Sequence, residues 1–284
     1  MNKPVGWIAV WLLCVLASPL AAEAPKDRLF LSSLTIARYN PLGLETQGRL
    51  LYSKRLVESD SALFGDAFLA PGLSLKLNPA CLGLGALVDF QPIAVFHLRV
   101  GYEWNLYFGT MGYLRSYPAS DADHSDNARK DTAELAYGTR GHRLYAQPAL
   151  QIKVGKLAAR TAFGFEYWAV DLHQGDRYFY DATLDTLVPE KKLVSTNDTD
   201  VLFRDDRLAA GLRTSAVFPG TGQSHLRLGP FFAWSFNNRE RSWLNKPTLI
   251  AILGWYLRHP NRVGAVPYAL IGFLFTCDLL PAAT

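Results

Sequence analysis

Charged side chains in this chain recur at alternate positions, among residues that carry no charge. Arg99 and Glu103 do so within 93–107, Arg143 and Lys153 within 143–154, and Arg160 and Glu166 within 157–167. Arg49, Lys76, Arg213 and Arg227 hold comparable places in four further runs. If each run is a strand, all ten project to one face, because successive strand side chains point to opposite sides. Bases outnumber acids on that face, so the chemistry on offer is electrostatic. A narrow lumen lined in this way focuses positive potential and favours small anionic solutes. The bland alternative is that the charges pair across strands and fill a closed lumen.

Two other groups have the right types for chemistry. Asp121, Asp123 and Asp126 form one acidic group, and Asp198 with Asp200 belongs to another. Both are expected in loops, where hard oxygen ligands could take calcium. Neither has EF-hand spacing, and solvated turn residues account for them as well, so no metal site is assigned. His124-Ser125-Asp126-Asn127 holds the residue types of acyl hydrolysis. That chemistry needs a base within reach of the nucleophile and a third group orienting the base. Here the residues are consecutive in a loop, and no catalytic residue is assigned. No Gly-rich phosphate loop, zinc spacing or nucleic-acid module is present, so neither a cofactor nor a nucleic-acid partner is expected.

The elements that must position these residues are strands. Ala94, Phe96, Leu98, Val100, Tyr102, Trp104 and Leu106 alternate with His97, Arg99, Gly101, Glu103 and Asn105. The same period of two runs through eleven segments, and a twelfth is expected within 173–206, near 191–203. The segments span about 10–15 residues, longer than the usual strand of about 5–6. A tilted strand crosses the hydrocarbon in about 9–11. Tyr and Trp gather near segment ends, as interfacial girdles require. The expected fold is therefore all-β: a transmembrane antiparallel up-and-down β-barrel of twelve strands, or ten if the first segment stays out of the wall. A secreted sandwich or lipocalin-like barrel is the soluble alternative.

Composition agrees. Of the 284 residues, 49% are hydrophobic and 19% charged, which excludes a disordered chain. Three cysteines exclude a disulfide-dense mini-protein. Lys3, the apolar run 7–17 and the small residues Ser18, Ala21 and Ala22 read as a cleaved signal peptide over 1–22, leaving 23–284 as one barrel domain. Cys81 and Cys277 fall on opposite sheet faces, so no disulfide is expected. Short turns are expected at 78–79, 91–92, 155–156 and 219–222. The long polar stretches 109–139 and 173–206 are expected outside the cell.

The leader and the long amphipathic strands resemble Gram-negative outer-membrane β-barrel proteins over residues 29–279, as a pattern rather than a motif. The segment 102–119, YEWNLYFGTMGYLRSYPA, is similar to uncharacterised barrels of this type. The resemblance implies an outer-membrane location, with membrane lipid and the barrel assembly machinery as partners. The chain ends without the terminal aromatic residue common in such barrels; its last aromatic is Phe275. Outer-membrane phospholipases place His and Ser two apart, followed by Asn, whereas His124 directly precedes Ser125 here. Three functions follow in order of expectation: a passive, porin-like channel for small solutes, with the ten charged residues as lumen and selectivity residues; a closed barrel acting through its outer loops; and a lipid hydrolase.

Overall fold

The computed structural model describes residues 27–221, 223–237, 244–262 and 266–279. The expected signal peptide lies outside them. In chain order the elements are β1 (Asp27–Tyr39), β2 (Gly43–Arg55), β3 (Phe68–Asn78), β4 (Cys81–Ile93), β5 (Phe96–Phe108), β6 (Ser116–Tyr117), helix α1 (Asp126–Asp131), β7 (Gly138–Val154), β8 (Leu157–Val170), β9 (Tyr178–Asp181), β10 (Thr186–Pro189), β11 (Leu193–Arg204), β12 (Leu208–Phe218), β13 (His225–Ser235), β14 (Asn245–Arg258) and β15 (Pro267–Asp278). A short 3-10 turn, Ala133–Leu135, follows α1.

Twelve of the strands close into one antiparallel barrel, and β6, β9 and β10 make a separate small sheet. The barrel closes through β1 on β15, in register from Phe30 opposite Asp278 to Tyr39 opposite Ala269. Wall strands run from 11 residues in β3 to 17 in β7, enough to cross a membrane at a tilt. The twelfth strand expected near 191–203 is β11.

Side-chain direction decides the solvent. Leu73, Leu144, Leu253 and Ile271 point outward, and each is more than half exposed. Asp89, Glu103, Glu166 and Asp200 point inward and are buried. A soluble protein arranges these the other way round. An exterior belt of Leu, Ile, Val and Phe around a charged interior is the arrangement that hydrocarbon demands, because closure leaves no strand edge unpaired. This rules out the soluble alternative.

Several details differ from the sequence reading. Gln91 and Pro92 lie in the end of β4 and do not form a turn; the chain reverses at 94–95. The turns at 78–81 and 219–224 lie at the same end as the two long stretches, because alternate connections of an up-and-down barrel share an end. The connection 56–67 lies at the opposite end and is long for that side. The inner face is not polar all round: Phe231, Ile250, Ile252 and Leu270 pack with Tyr256 and Tyr268 along the inside of β13–β15. Charge is therefore concentrated on the remaining arc.

The two long stretches are also folded. β6, β9 and β10 pair in the order β10-β9-β6. Phe179, Leu187 and Val188 are the core of this cap. Phe179 and Val188 pack against Tyr107, Trp168, Val170, Val194 and Val217 on the inner rim of the barrel. Apolar rim residues thus hold the cap inside the mouth.

Candidate functional site: the lumen and the hairpin that closes it

Strand register places several lumen charges directly opposite a counter-charge. Asp89 faces Arg99 across β4 and β5, Glu103 faces Arg143 across β5 and β7, and Asp200 faces Arg213 across β11 and β12. Arg99 grips Asp89 with two bonds of 2.6 and 2.8 Å. Arg213 holds Asp200 in the same way, at 2.6 and 2.7 Å. Arg143 bridges Glu103 at 2.8 Å and Glu166 at 2.5 Å, and Lys76 reaches Glu103 at 3.4 Å. Such forked pairs are geometrically strict and brace the wall. Gly101 makes room for the Tyr145 ring beside them, which a Cβ there would overlap.

Among the described residues, Arg49, Arg160, Arg227 and Lys153 have no such partner. There Arg49 donates only to Gln47, at 2.9 Å. Arg227 lies 4.0 Å over the Tyr268 ring, and its Nε has no acceptor. Arg160 also faces inward, opposite Asp200 of β11. Neither it nor the other two has a carboxylate within 4 Å among the described residues. Lys153 lies near the rim away from the cap and is exposed. Asp198 and Asp200 require a correction: they are not in a loop but on β11, facing the lumen. Asp–Thr–Asp reads as a turn by composition, but pairing with β8 and β12 holds it extended.

Beneath the cap lies a cavity of about 290 Å³. Its charged lining consists of five bases, Arg49, Lys76, Arg99, Arg143 and Arg227, and five acids, Glu45, Glu103, Glu166, Asp181 and Asp198. Arg160, Arg213 and Lys153 do not line it.

The roof of the cavity is the tip of the β9–β10 hairpin. Asp181 sets the turn: its Oδ1 accepts the backbone N–H groups of Thr183 and Leu184, both at 2.8 Å. Asp185 closes the turn at φ +52°, a conformation that Asp tolerates. Asp181, Thr183 and Leu184 line the cavity from above. Rim residues hold the tip. His225 bonds the Leu184 carbonyl at 2.6 Å, and Arg38 donates to the Ala182 carbonyl at 3.1 Å.

Asp185 is the hub of this closure and is 2% exposed. Its carboxylate accepts Tyr180 Oη at 2.7 Å, Tyr256 Oη at 2.7 Å, and Arg262 Nε and Nη2 at 2.8 and 3.2 Å. Its carbonyl meets His259 Nε2 at 3.0 Å. Arg262 also donates to Asp126, at 2.9 Å. Burial alone would raise the Asp185 carboxyl, but hydrogen bonds from His259 and Arg262 hold it well below the usual carboxylate range. Sequence reasoning missed Asp181, Asp185, His259 and Arg262 as a group. The available signal was two short apolar runs, Tyr178–Tyr180 and Leu187–Val188, separated by Asp-rich turn residues.

The remaining candidates sit on the outer side of Asp185. His124, Ser125, Asp126 and Asn127 line a cup of about 370 Å³ with Asp185, His259 and Arg262. No hydrogen bond joins His124 to Ser125. His124 Nδ1 faces the Ala122 carbonyl at 3.1 Å, while Ser125 Oγ caps α1 by accepting Ala128 N–H at 3.3 Å. Burial lowers the His124 pKa. Asp123 accepts the Ser125 N–H at 2.8 Å, Asp126 pairs with Arg129 and Arg262, and Asp121 is exposed. Among the described residues, no three His, Cys, Asp or Glu side chains are grouped to hold a metal. Cys81 and Cys277 are buried free thiols.

A closed twelve-strand barrel with an oily exterior and a charged, cavity-bearing interior defines the class: an outer-membrane β-barrel of porin-like architecture. No family model and no curated protein matches the chain. Among solved structures it is similar to the KdgM porin (9% identity, 87% of this chain and 98% of that one, TM-score 0.40). It is also similar to the NanC porin (8%, 88% and 100%, 0.41) and to LpxR from Salmonella typhimurium (9%, 87% and 99%, 0.39).

Proposed function

We propose that the protein is a passive channel for small, carboxylate-bearing solutes, closed in this state by the β9–β10 hairpin. The observation that carries this reading is the cavity beneath the hairpin, lined by Arg49 and Arg227, cations without a carboxylate partner among the described residues. An interior meant only to be filled would pair such charges, because a buried lone charge is costly. A hydrated path tolerates them, and there they act on whatever passes. Arg49, Arg160 and Arg227 are then the selectivity residues, while Arg99, Arg143 and Arg213 are braces. The cap's body is packed on the apolar rim, but the tip of the roof is held by polar contacts, and these can be exchanged for water when the tip lifts.

Proteoliposome flux tests the reading. Solute should cross slowly in the native protein and faster once Asp185 is replaced by Asn. Absence of flux in both, from protein shown to be folded, would overturn it.

A second reading has one observation in its favour: the folded cap covers the mouth and presents α1 outward. A closed barrel could use that surface to bind a partner. Deleting 121–130 would then abolish binding and leave the barrel folded. The hydrolase reading gains nothing from the geometry of His124 and Ser125.

A further inference from the structure

The cavity is not a field of one sign. Its acids and bases balance in number, so an excess of either charge is not what a solute would meet. The unmatched groups are informative because they come in both signs. Asp198 makes no hydrogen bond or ion pair among the described residues. Arg227 makes no ion pair either, and its Nε is unpartnered. The two lie in one lumen row, Asp198 opposite Ser215 on β12 and Ser215 opposite Arg227 on β13. Two strand spacings separate their backbones by roughly 10 Å. Arg227 could lean towards the acid but lies on Tyr268 instead. An acid and a base are thus held apart with a hydroxyl between them, both lining the same cavity. Arg49 adds a second unpaired base on the wall formed by β2.

A slot with separated, unsatisfied charges of opposite sign is complementary to a dipolar ion. An anion would satisfy the arginines and be repelled by Asp198. A cation would meet the reverse. Only a solute carrying both charges satisfies both unpaired groups at once. We propose that the cavity recognises zwitterionic solutes of amino-acid to dipeptide size, the carboxylate taken by Arg227 and Arg49 and the ammonium by Asp198. A volume of about 290 Å³ accommodates such a molecule with some of its water. The proposal rests on the channel reading and adds the class of solute.

The test is flux through reconstituted full-length protein, native and Asp185→Asn, with four probes of similar size. These are dialanine (both charges), N-acetylalanine (negative), alanylalaninamide (positive) and N-acetylalaninamide (neutral). Dialanine should cross about tenfold faster than each of the others, the equivalent of one charge-assisted contact. Asp198→Asn should move the preference to N-acetylalanine, and Arg227→Gln should move it to alanylalaninamide. Arg227→Lys should keep dialanine first. If a singly charged or neutral probe matches dialanine in the native protein, the zwitterion proposal is overturned and the channel stands. If no probe crosses in either protein, the channel reading itself fails. Variants that misfold leave the native comparison to decide.

Discussion

Replacing Asp185 by Asn should unlatch the roof of the lumen. The side chain keeps its size and one acceptor oxygen, so packing is preserved. What goes is the negative charge that two hydroxyls and the Arg262 guanidinium point at. Removing one member of a buried ion pair costs about 3–5 kcal/mol, because the other charge is left buried. Arg262 retains Asp126, at 2.9 Å, and Asn still accepts one hydrogen bond. The lower end applies, about 3 kcal/mol, or roughly two orders of magnitude in the ratio of open to closed hairpin. Hydrogen exchange reads that ratio directly. Protection of the amides of β9 and β10 should fall about a hundredfold, while the wall strands stay unchanged. The sign with pH follows from the depressed carboxyl. The latch is at full strength above about pH 4, the unfolded value, and weakens as pH falls below it towards the folded value. Unaltered hairpin protection in Asp185→Asn would refute the assignment of Asp185 as the latch.

Other consequences can be measured separately. His124 lies with its ring 5.7 Å from that of Tyr180 on the hairpin, and its pKa is lowered, so proton uptake favours release. Hairpin exchange should therefore quicken as pH falls below about 6.5, and His124→Gln should remove that step; an identical pH profile would exclude the role. Arg213→Ala leaves Asp200 buried without its forked partner and should cost about 3 kcal/mol in urea unfolding, whereas Arg49→Ala should cost little; equal losses would refute the division into braces and free cations. Gly101→Ala forces the Tyr145 ring aside and should destabilise by about 1–3 kcal/mol, read as a lowered urea midpoint. Leu253→Arg, on the outer face of β14, should cost about 2–4 kcal/mol in vesicles; no loss there would contradict lipid contact.

The barrel was largely legible in the chain, and for one reason. A strand with oil on one side and polar lumen on the other must alternate, and runs such as 93–107 and 143–154 do. Even the weak segment at 191–203 was placed by the need for an even number of strands. Where both faces are apolar, as at 249–253, alternation fails and the inner patch of β13–β15 stayed hidden. Asp198 and Asp200 were misplaced because composition alone says turn, while their extended state is imposed by strands on either side.

Period, length and strand-end aromatics by themselves pointed to a membrane barrel of twelve strands, or ten, and assigned most side chains to one sheet face or the other. Those properties are local, since each residue's face depends only on its parity within its own strand. Only the tertiary structure decided which inward charges cancel and which remain free, and that the mouth is roofed. Whether Arg49 has a partner depends on the strands beside it, and whether the lumen is open depends on Asp185 meeting Tyr256 and Arg262, 71 and 77 residues away in sequence. Contacts between segments so far apart leave no periodic trace in the chain.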